Sequence, residues 1–465
     1  MSAPVRLGLG LLVLTTVLVL LNWLVLRRTA SAFGLSARGR RWLAIGLGVP
    51  FAGTVLLRAL GRWLPLGFGE PVAVAASASE MGVMIAATFL GVMALGAAGA
   101  RRAARAFGGR GAETAPSTEK PAAEKPAAEK PAAEKPAAEK PAAGKPAAEK
   151  PAGAVGRAGE LPSSEQAAAR AEEKPSSEKP AVEAASEGLG RRAFLGRAAV
   201  GSAWAIGGGS AAYGALFGRH DYELSTVPVP IPGLSKKADG FTIVQLSDIH
   251  LGMMVGEPEM RAAEELVRKA KGDLIVLTGD LVDHDARYAE ELGRLVRRLS
   301  GLGPVVAIPG NHDYYAGIDA IVATLRAAGA TALVNGATLP LGEREGFVLA
   351  GLDELWAVRT GGGPDLEKAL AGTPRELPRV VLCHNPKVFE ETAGQIALQL
   401  SGHTHGGQVN LGVRPADLVL RHGYIAGLYE TAGSHIYVNR GFGTAGPAAR
   451  VGAPPEVSRI VLVAG

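Results

Sequence analysis

From Pro121 to Lys150 the pentapeptide PAAEK recurs without interruption, with one copy written PAAGK. A proline every five residues, with no bulky apolar side chain between, cannot bury enough surface to offset the entropy of ordering the chain. No single domain can fold across such a tract. A looser Ser-, Glu- and Pro-rich stretch continues to about Glu187, so residues 111–189 are read as a disordered, fairly extended linker. The two flanks differ. Leu, Val, Ala and Gly dominate the first hundred residues, whereas all nine histidines lie beyond residue 219.

The N-terminal flank reads as membrane-spanning. Apolar runs at residues 7–26, 42–60 and 81–100 each approach the roughly 20 helical residues that cross a hydrocarbon core. The first lacks the charged start and small-residue cleavage site of a secretory leader. Arg27, Arg28, Arg38, Arg40 and Arg41 separate the first two runs, and Arg101, Arg102, Arg105 and Arg110 follow the third. By the positive-inside rule the N-terminus lies outside and residue 110 in the cytoplasm. The net charge of +5 is therefore a matter of membrane topology, and no basic groove with interleaved aromatics indicates a nucleic-acid partner. Cys383 is the sole cysteine, which excludes an intramolecular disulfide.

Residues 190–218, GRRAFLGRAAVGSAWAIGGGSAAYGALFG, carry paired arginines followed by an apolar span with no acidic residue. One reading is a fourth membrane helix whose arginines mark its cytoplasmic end. The other is a signal for the twin-arginine export machinery, which the RRxFL pattern resembles. Either places residues 219–465 on the extracytoplasmic side of the cytoplasmic (inner) membrane. The domain plan is thus 1–110 membrane, 111–189 linker, 190–218 anchor or signal, and 219–465 globular.

In that last part short apolar strands (FTIVQL, LIVLTG, PVVAIPG) alternate with helix-like stretches at residues 257–270 and 284–299, the pattern of an α/β core. Polar residues gather where strands end: Asp248 and His250 in LSDIH, Asp280 and Asp283 in TGDLVD, Asn311, His312 and Asp313 in PGNHDYY, His384 in VVLCHNP, and His403 and His405 in SGHTHGGQ. Loops at strand carboxyl ends are where α/β sites assemble. Residues i and i+2 of an extended turn can be aimed at two neighbouring points, so His403 and His405 can be directed to different places. Gly402, Gly406 and Gly407 give that turn its freedom.

In this order the motifs DxH, GDxxD, GNHD, a later His and GHxH resemble the calcineurin-like metallophosphoesterase superfamily, and SGHTHGGQ with CHNP resembles its membrane-anchored bacterial branch. The resemblance implies a four-layer α/β/β/α sandwich preceded by transmembrane helices and the linker. It implies two divalent ions, one held by Asp248, His250, Asp280 and His405 and the other by Asp280, Asn311, His384 and His403. Asp280 would bridge, offering one carboxylate oxygen to each ion. Imidazole with carboxylate suits Mn, Zn or Fe rather than an all-oxygen calcium site. A metal-bridging hydroxide would attack phosphorus, with His312 as general acid and Asp313 orienting its ring. Arg450 reads either as a contact to substrate phosphate or as a surface salt bridge. The function expected is hydrolysis of a phosphomonoester or phosphodiester. The alternatives are a lipid pyrophosphate hydrolase similar to UDP-diacylglucosamine hydrolases, working on a phospholipid-type substrate, and a non-catalytic membrane sensor or scaffold.

Overall fold

The computed structural model of the chain describes residues 3–60, 70–108, 190–342 and 346–465. The PAAEK tract and the rest of the expected linker lie outside these residues. Met1–Arg101 and Leu189–Gly465 form one compact unit, so the first helices and the C-terminal sheets belong to a single body.

Four long helices come first: α1 (Ala3–Phe33), α2 (Ala37–Leu60), α3 (Glu70–Gly108) and α4 (Arg191–Leu216). Two contain windows long and apolar enough to cross a membrane, Thr15–Phe33 and Glu70–Ala103. The other two have spanning length, but α2 contains Pro50 and four arginines, and α4 contains three arginines and a Gly207–Gly209 run. Large apolar side chains such as Leu20, Trp42, Val49 and Leu95 point outward from the bundle. Its interior holds smaller ones: Ala86 and Ala87 of α3 pack against Val200 and Ala203 of α4. A side chain at Gly207 would collide with the Gly82 carbonyl and Ala86, which is the close, small-residue contact by which membrane helices associate.

The C-terminal region is a sandwich of two six-stranded sheets. Strands β1 (Glu223–Ile231), β2 (Thr242–Leu246), β3 (Leu274–Thr278), β4 (Val305–Ile308) and β5 (Thr331–Ala332) belong to the first sheet. Strands β6 (Gly336–Thr338), β7 (Val348–Gly351), β8 (Arg379–Leu382), β9 (Leu398–Ser401), β10 (Gly427–Thr431) and β11 (Ser434–Val438) form the second. β12 (Glu456–Ala464) returns to the first, giving the orders β1-β12-β2-β3-β4-β5 and β10-β11-β9-β8-β7-β6. The runs β2 to β5 and β11-β9-β8-β7 are parallel, so their carboxyl ends point the same way within each sheet.

Strand alternation builds the layers. Ile243, Val276 and Ile308 face Leu349, Leu382 and Leu400 of the other sheet and form the central core. One residue away, Val244, Leu246, Ile275 and Leu277 turn outward to α5 (Glu257–Ala270), α6 (Ala289–Ser300) and helix α8 (Ile318–Ala327), which follows the short α7 (Asn311–Ala316). On the far side Val381 and Cys383 turn outward toward α9 (Leu366–Leu370) and α10 (Phe389–Thr392). This is the four-layer α/β/β/α sandwich. α6 begins later than the expected residue 284 because Asp285 accepts a bond from Arg287 N and caps a 3₁₀ turn at Ala286–Tyr288 before the helix proper.

The inter-sheet contact is tight enough to predict a cost. A methyl at Gly351 would overlap Leu333 Cβ and lie 2.7 Å from Ile308 Cγ2. Gly351→Ala should lower unfolding stability by about 1–3 kcal/mol, the usual range for overpacking, as read from denaturant titration of the detergent-solubilised protein.

Candidate metal centre

Five strand ends from both sheets meet at one edge of the sandwich. β2 delivers Asp248 and His250, β3 delivers Asp280, and β4 runs into α7 with Asn311 and His312. From the second sheet β8 delivers His384, and β9 delivers His403 and His405. Asp248, His250, Asp280, His403 and His405 all have positive φ, between 51° and 73°. Each such non-glycine residue costs on the order of 1–3 kcal/mol and persists only where its surroundings force it. The surroundings are backbone bonds between loops: Asp248 N donates to Gly279 O, His250 N to Asp280 O, and Gly443 N to Asp248 O at 2.7 Å. The left-handed turn after each strand folds its side chain back toward the neighbouring loop.

Glycine does a different job here from the one expected at residue 402. Gly402 does not have positive φ, but a Cβ there would collide with Ser247 Oγ and the Asp248 carboxylate. Gly310 is barred in the same way by Asp280. These two positions are small because the loops nest; Gly406 and Gly407 supply the left-handed backbone.

Potential ligand atoms fall into groups. Asp248, His250 and His405 form one and Asp280, His384 and His403 another, with His250, Asp280 and His312 between them. His250 Nε2 and His405 Nε2 approach to 3.0 Å, and His384 Nε2 and His403 Nδ1 to 3.3 Å. Asp280 Oδ2 lies 3.6 Å from His250 Nε2 and 3.2 Å from His384 Nε2. One oxygen therefore faces both groups, rather than one oxygen facing each, because Oδ1 is occupied by the His312 N–H at 2.8 Å. His405 Nε2 is 3.3 Å from Asp248 Oδ1.

This arrangement fits divalent metal. Two pairs of imidazole nitrogens converge with carboxylate oxygens, and the buried Asn311 Oδ1 has no hydrogen-bond partner, an acceptor that a cation would satisfy. The donors are nitrogen and oxygen without thiolate, the set borderline and hard divalent ions take. His384 Nδ1 contacts Thr278 O at 2.8 Å, which fixes the ring and leaves Nε2 directed inward. Burial opposes charge on Asp280, but His384, His250 and His312 outweigh it and hold its carboxyl below the usual range. Burial, reinforced by His384, pushes His403 down to about 3.

Asp313 does not orient His312. Its Oδ1 accepts from Leu281 N at 3.0 Å and Val282 N at 3.1 Å, and its Oδ2 from Gly310 N at 2.8 Å. These three bonds cap α7 and clamp the GD loop to the GN loop. The neighbour of the His312 ring is Asp283, whose carbonyl contacts Nδ1 and whose Oδ1 lies 3.2 Å from the same atom. Asp283 also holds His284, at 2.7 Å. Burial opposes the proton on His312, but Asp283 and Asp280 push its pKa up to about 9.

Arg450 is neither a phosphate contact nor a surface ion pair. Its side chain is buried, donates to Gly443 O, Arg440 O and Ala453 O, and lies 3.0 Å from His405 Nδ1. The sequence signal for this was an arginine inside the small-residue run GPAARVG, where a flexible surface side chain is out of place.

A two-sheet sandwich with clustered Asp, His and Asn at its parallel strand ends defines a metal-dependent hydrolase of phosphate esters. The chain belongs to the calcineurin-like phosphoesterase family, whose sequence model matches residues 241–407. It is 33% identical over 285 residues to the uncharacterized metallophosphoesterase YkuE of Bacillus subtilis, covering 59% of this chain and 98% of that one. It is 34% identical over 230 residues to the phosphodiesterase YaeI of Escherichia coli, covering 48% of this chain and 82% of that one. A transmembrane protein with metallophosphoesterase domain from Danio rerio is 34% identical over 269 residues, covering 54% of this chain and 60% of that protein.

The Asp313 clamp carries its own prediction. Asp313→Ala leaves three buried N–H groups without their acceptor and should destabilise the protein by about 3 kcal/mol or more, measured by chemical denaturation followed by near-ultraviolet circular dichroism.

Proposed function

We propose that the chain is a membrane-anchored dimetal phosphohydrolase whose catalytic domain works outside the cytoplasmic membrane. Asp248, His250, Asp280 and His405 hold one ion, and Asp280, Asn311, His384 and His403 the other, with Mn, Zn or Fe as the metals this donor set suits. The observation that carries this reading is Asp280 Oδ2, directed at imidazole nitrogens of both groups. Bound there, two such ions supply Lewis acidity to phosphate oxygens and a hydroxide nucleophile at neutral pH.

The remaining chemistry belongs to the side chains. His312 stands at the rim, its ring 4.6 Å from that of His250, and is part-exposed where a leaving group must depart. Asp283 engages Nδ1, so Nε2 is the atom left to pass a proton to the leaving oxygen. Asp283 thereby takes the orienting role first expected of Asp313.

Anchoring and sidedness rest on helix ends. Arg450 N donates to Gly214 O near the C-terminus of α4, Ala448 N donates to Ser77 Oγ near the start of α3, and Arg219 pairs with Glu70 at 3.6 Å. The catalytic domain therefore sits at the ends of α3 and α4 remote from Arg101, Arg102, Arg191, Arg192 and Arg197. With those arginines cytoplasmic, the domain is extracytoplasmic. The fit of Gly207 against α3 supports an α4 retained as a helix rather than cleaved as a signal. The same sidedness weighs against a pyrophosphatase acting on cytoplasmic nucleotide-linked lipids.

Asp280→Asn should abolish hydrolysis of bis-p-nitrophenyl phosphate and lower bound metal measured by mass spectrometry; retention of both would refute the site. His312→Gln should keep metal yet slow turnover by about 10²–10⁴. Adding Asp283→Asn to His312→Gln should cost no further turnover if the two act as a unit. Alkaline phosphatase fused at the C-terminus should be active and a green fluorescent fusion dark; the opposite pattern reverses the sidedness.

A further inference from the structure

After the GHTHGGQVN loop the chain runs LGVRPADLVL, residues 411–420, and four of its aliphatic side chains, Leu411, Val413, Leu418 and Val419, are exposed. Val413 is 72% exposed, Leu418 89% and Val419 75%, and α11 (Ala416–Val419) within this segment has no buried residue. A soluble surface seldom gathers such side chains in one short loop. The segment departs from the point where the membrane helices enter the domain. Val409 packs with Val451 against Ala78 and Met81 of α3 and Ala211 and Ala215 of α4, and Asn410 N donates to Val451 O at 2.7 Å. At the end of α4, Tyr213, Leu216 and Phe217 are also exposed, the aromatic and aliphatic pattern of a helix emerging at a membrane boundary. Arg414 within the segment pairs with Asp417 at 2.8 Å, and the exposed Arg421 directly follows the segment, a basic residue where an apolar face meets anionic headgroups.

We infer that residues 411–420 insert into the interface of the same bilayer that holds α3 and α4, and that the enzyme's substrate is a phosphate ester in the headgroup of a membrane lipid. The occupant is a lipid surface because the exposed aliphatics continue an apolar surface that the spanning helices already begin. The consequence for substrate follows from chain connection. Only Gly406 to Asn410 separate His405 from the inserted segment, and Asn410 Nδ2 donates back to Gly406 O at 3.0 Å, so the strand end carrying both histidines is held at headgroup depth. This inference rests on the membrane-anchored hydrolase reading above.

The native Cys383 is fully buried, so Leu418→Cys provides a single accessible thiol in the full-length protein. Bimane attached there, in nanodiscs of phosphatidylethanolamine and phosphatidylglycerol, should emit to the blue of the same label at the exposed Lys368→Cys and be quenched by nitroxide-bearing lipid. Emission as in water without lipid quenching, or a Leu418→Cys disulfide linking two copies in place of quenching, overturns the insertion. The paired change Leu418→Asp and Val419→Asp should lower hydrolysis of phosphatidic acid and phosphatidylglycerol in vesicles at least about tenfold while leaving bis-p-nitrophenyl phosphate within about twofold. Equal effects on both substrates, or none on the vesicles, overturn the lipid assignment. If the unaltered protein cleaves neither, it is the hydrolase reading that fails, and the bimane label still decides the insertion.

Discussion

The architecture turns on a buried carboxylate that two sets of imidazoles share. Asp280 has one oxygen committed to a backbone N–H and the other exposed to nitrogens on both sides, within a pocket where Asp248 is also fully buried. Two carboxylates and four imidazoles packed this closely leave lone pairs facing one another, which is unfavourable unless cations or protons lie between them. Both sheets must end at the same edge to supply the ligands, and five non-glycine residues must take left-handed backbone to aim them. The large inter-sheet core and the loop-to-loop backbone bonds are what hold that strain in place.

Helix α4 reaches this site directly through Arg450. Arg450 donates its backbone N–H to the carbonyl of Gly214 on α4, while its guanidinium reaches His405 Nδ1 and three carbonyls of the surrounding loops. A buried guanidinium is stable only with such complete hydrogen bonding, so its position is fixed at both ends. Movement of α4 relative to the sheets would be felt at His405 without any intervening flexible linker. Gly214 itself is small for this reason, since a side chain there would press on Val451 Cγ2 at 2.9 Å.

Much of the fold was legible because strand ends announce themselves by chemistry: an apolar run followed by Asp, Asn or His needs no tertiary information. The parallel core strands β2, β3, β4, β8 and β9 all follow that rule. β1 does not, because Pro228 and Pro230 argue against a strand; it survives as the edge of its sheet, paired on one side with β12, where a missing N–H on the open side costs nothing. The hairpin of β10 and β11 also escaped notice, since its turn places Ala432 and not only Gly433 at positive φ. Which residues gather at the site was readable from motif order. Their left-handed backbones were not, because positive φ at Asp or His depends on bonds from loops distant in sequence.

The exchange of roles between Asp313 and Asp283 shows where motif reading reaches its limit. Adjacency made Asp313 the natural partner of His312, yet on a helix neighbouring side chains diverge by about a quarter turn or more and do not meet. At the third position of α7, Asp313 faces back toward the helix start, where free N–H groups of its own turn and of the GD loop compete for it. Three such donors hold the carboxylate against the backbone. Asp283 stands in a loop without those demands, so its carboxylate is free to span His312 and His284. The residue that holds the His312 ring is thus set by which carboxylate the backbone leaves unclaimed, a property of the assembled turn rather than of the four-letter motif.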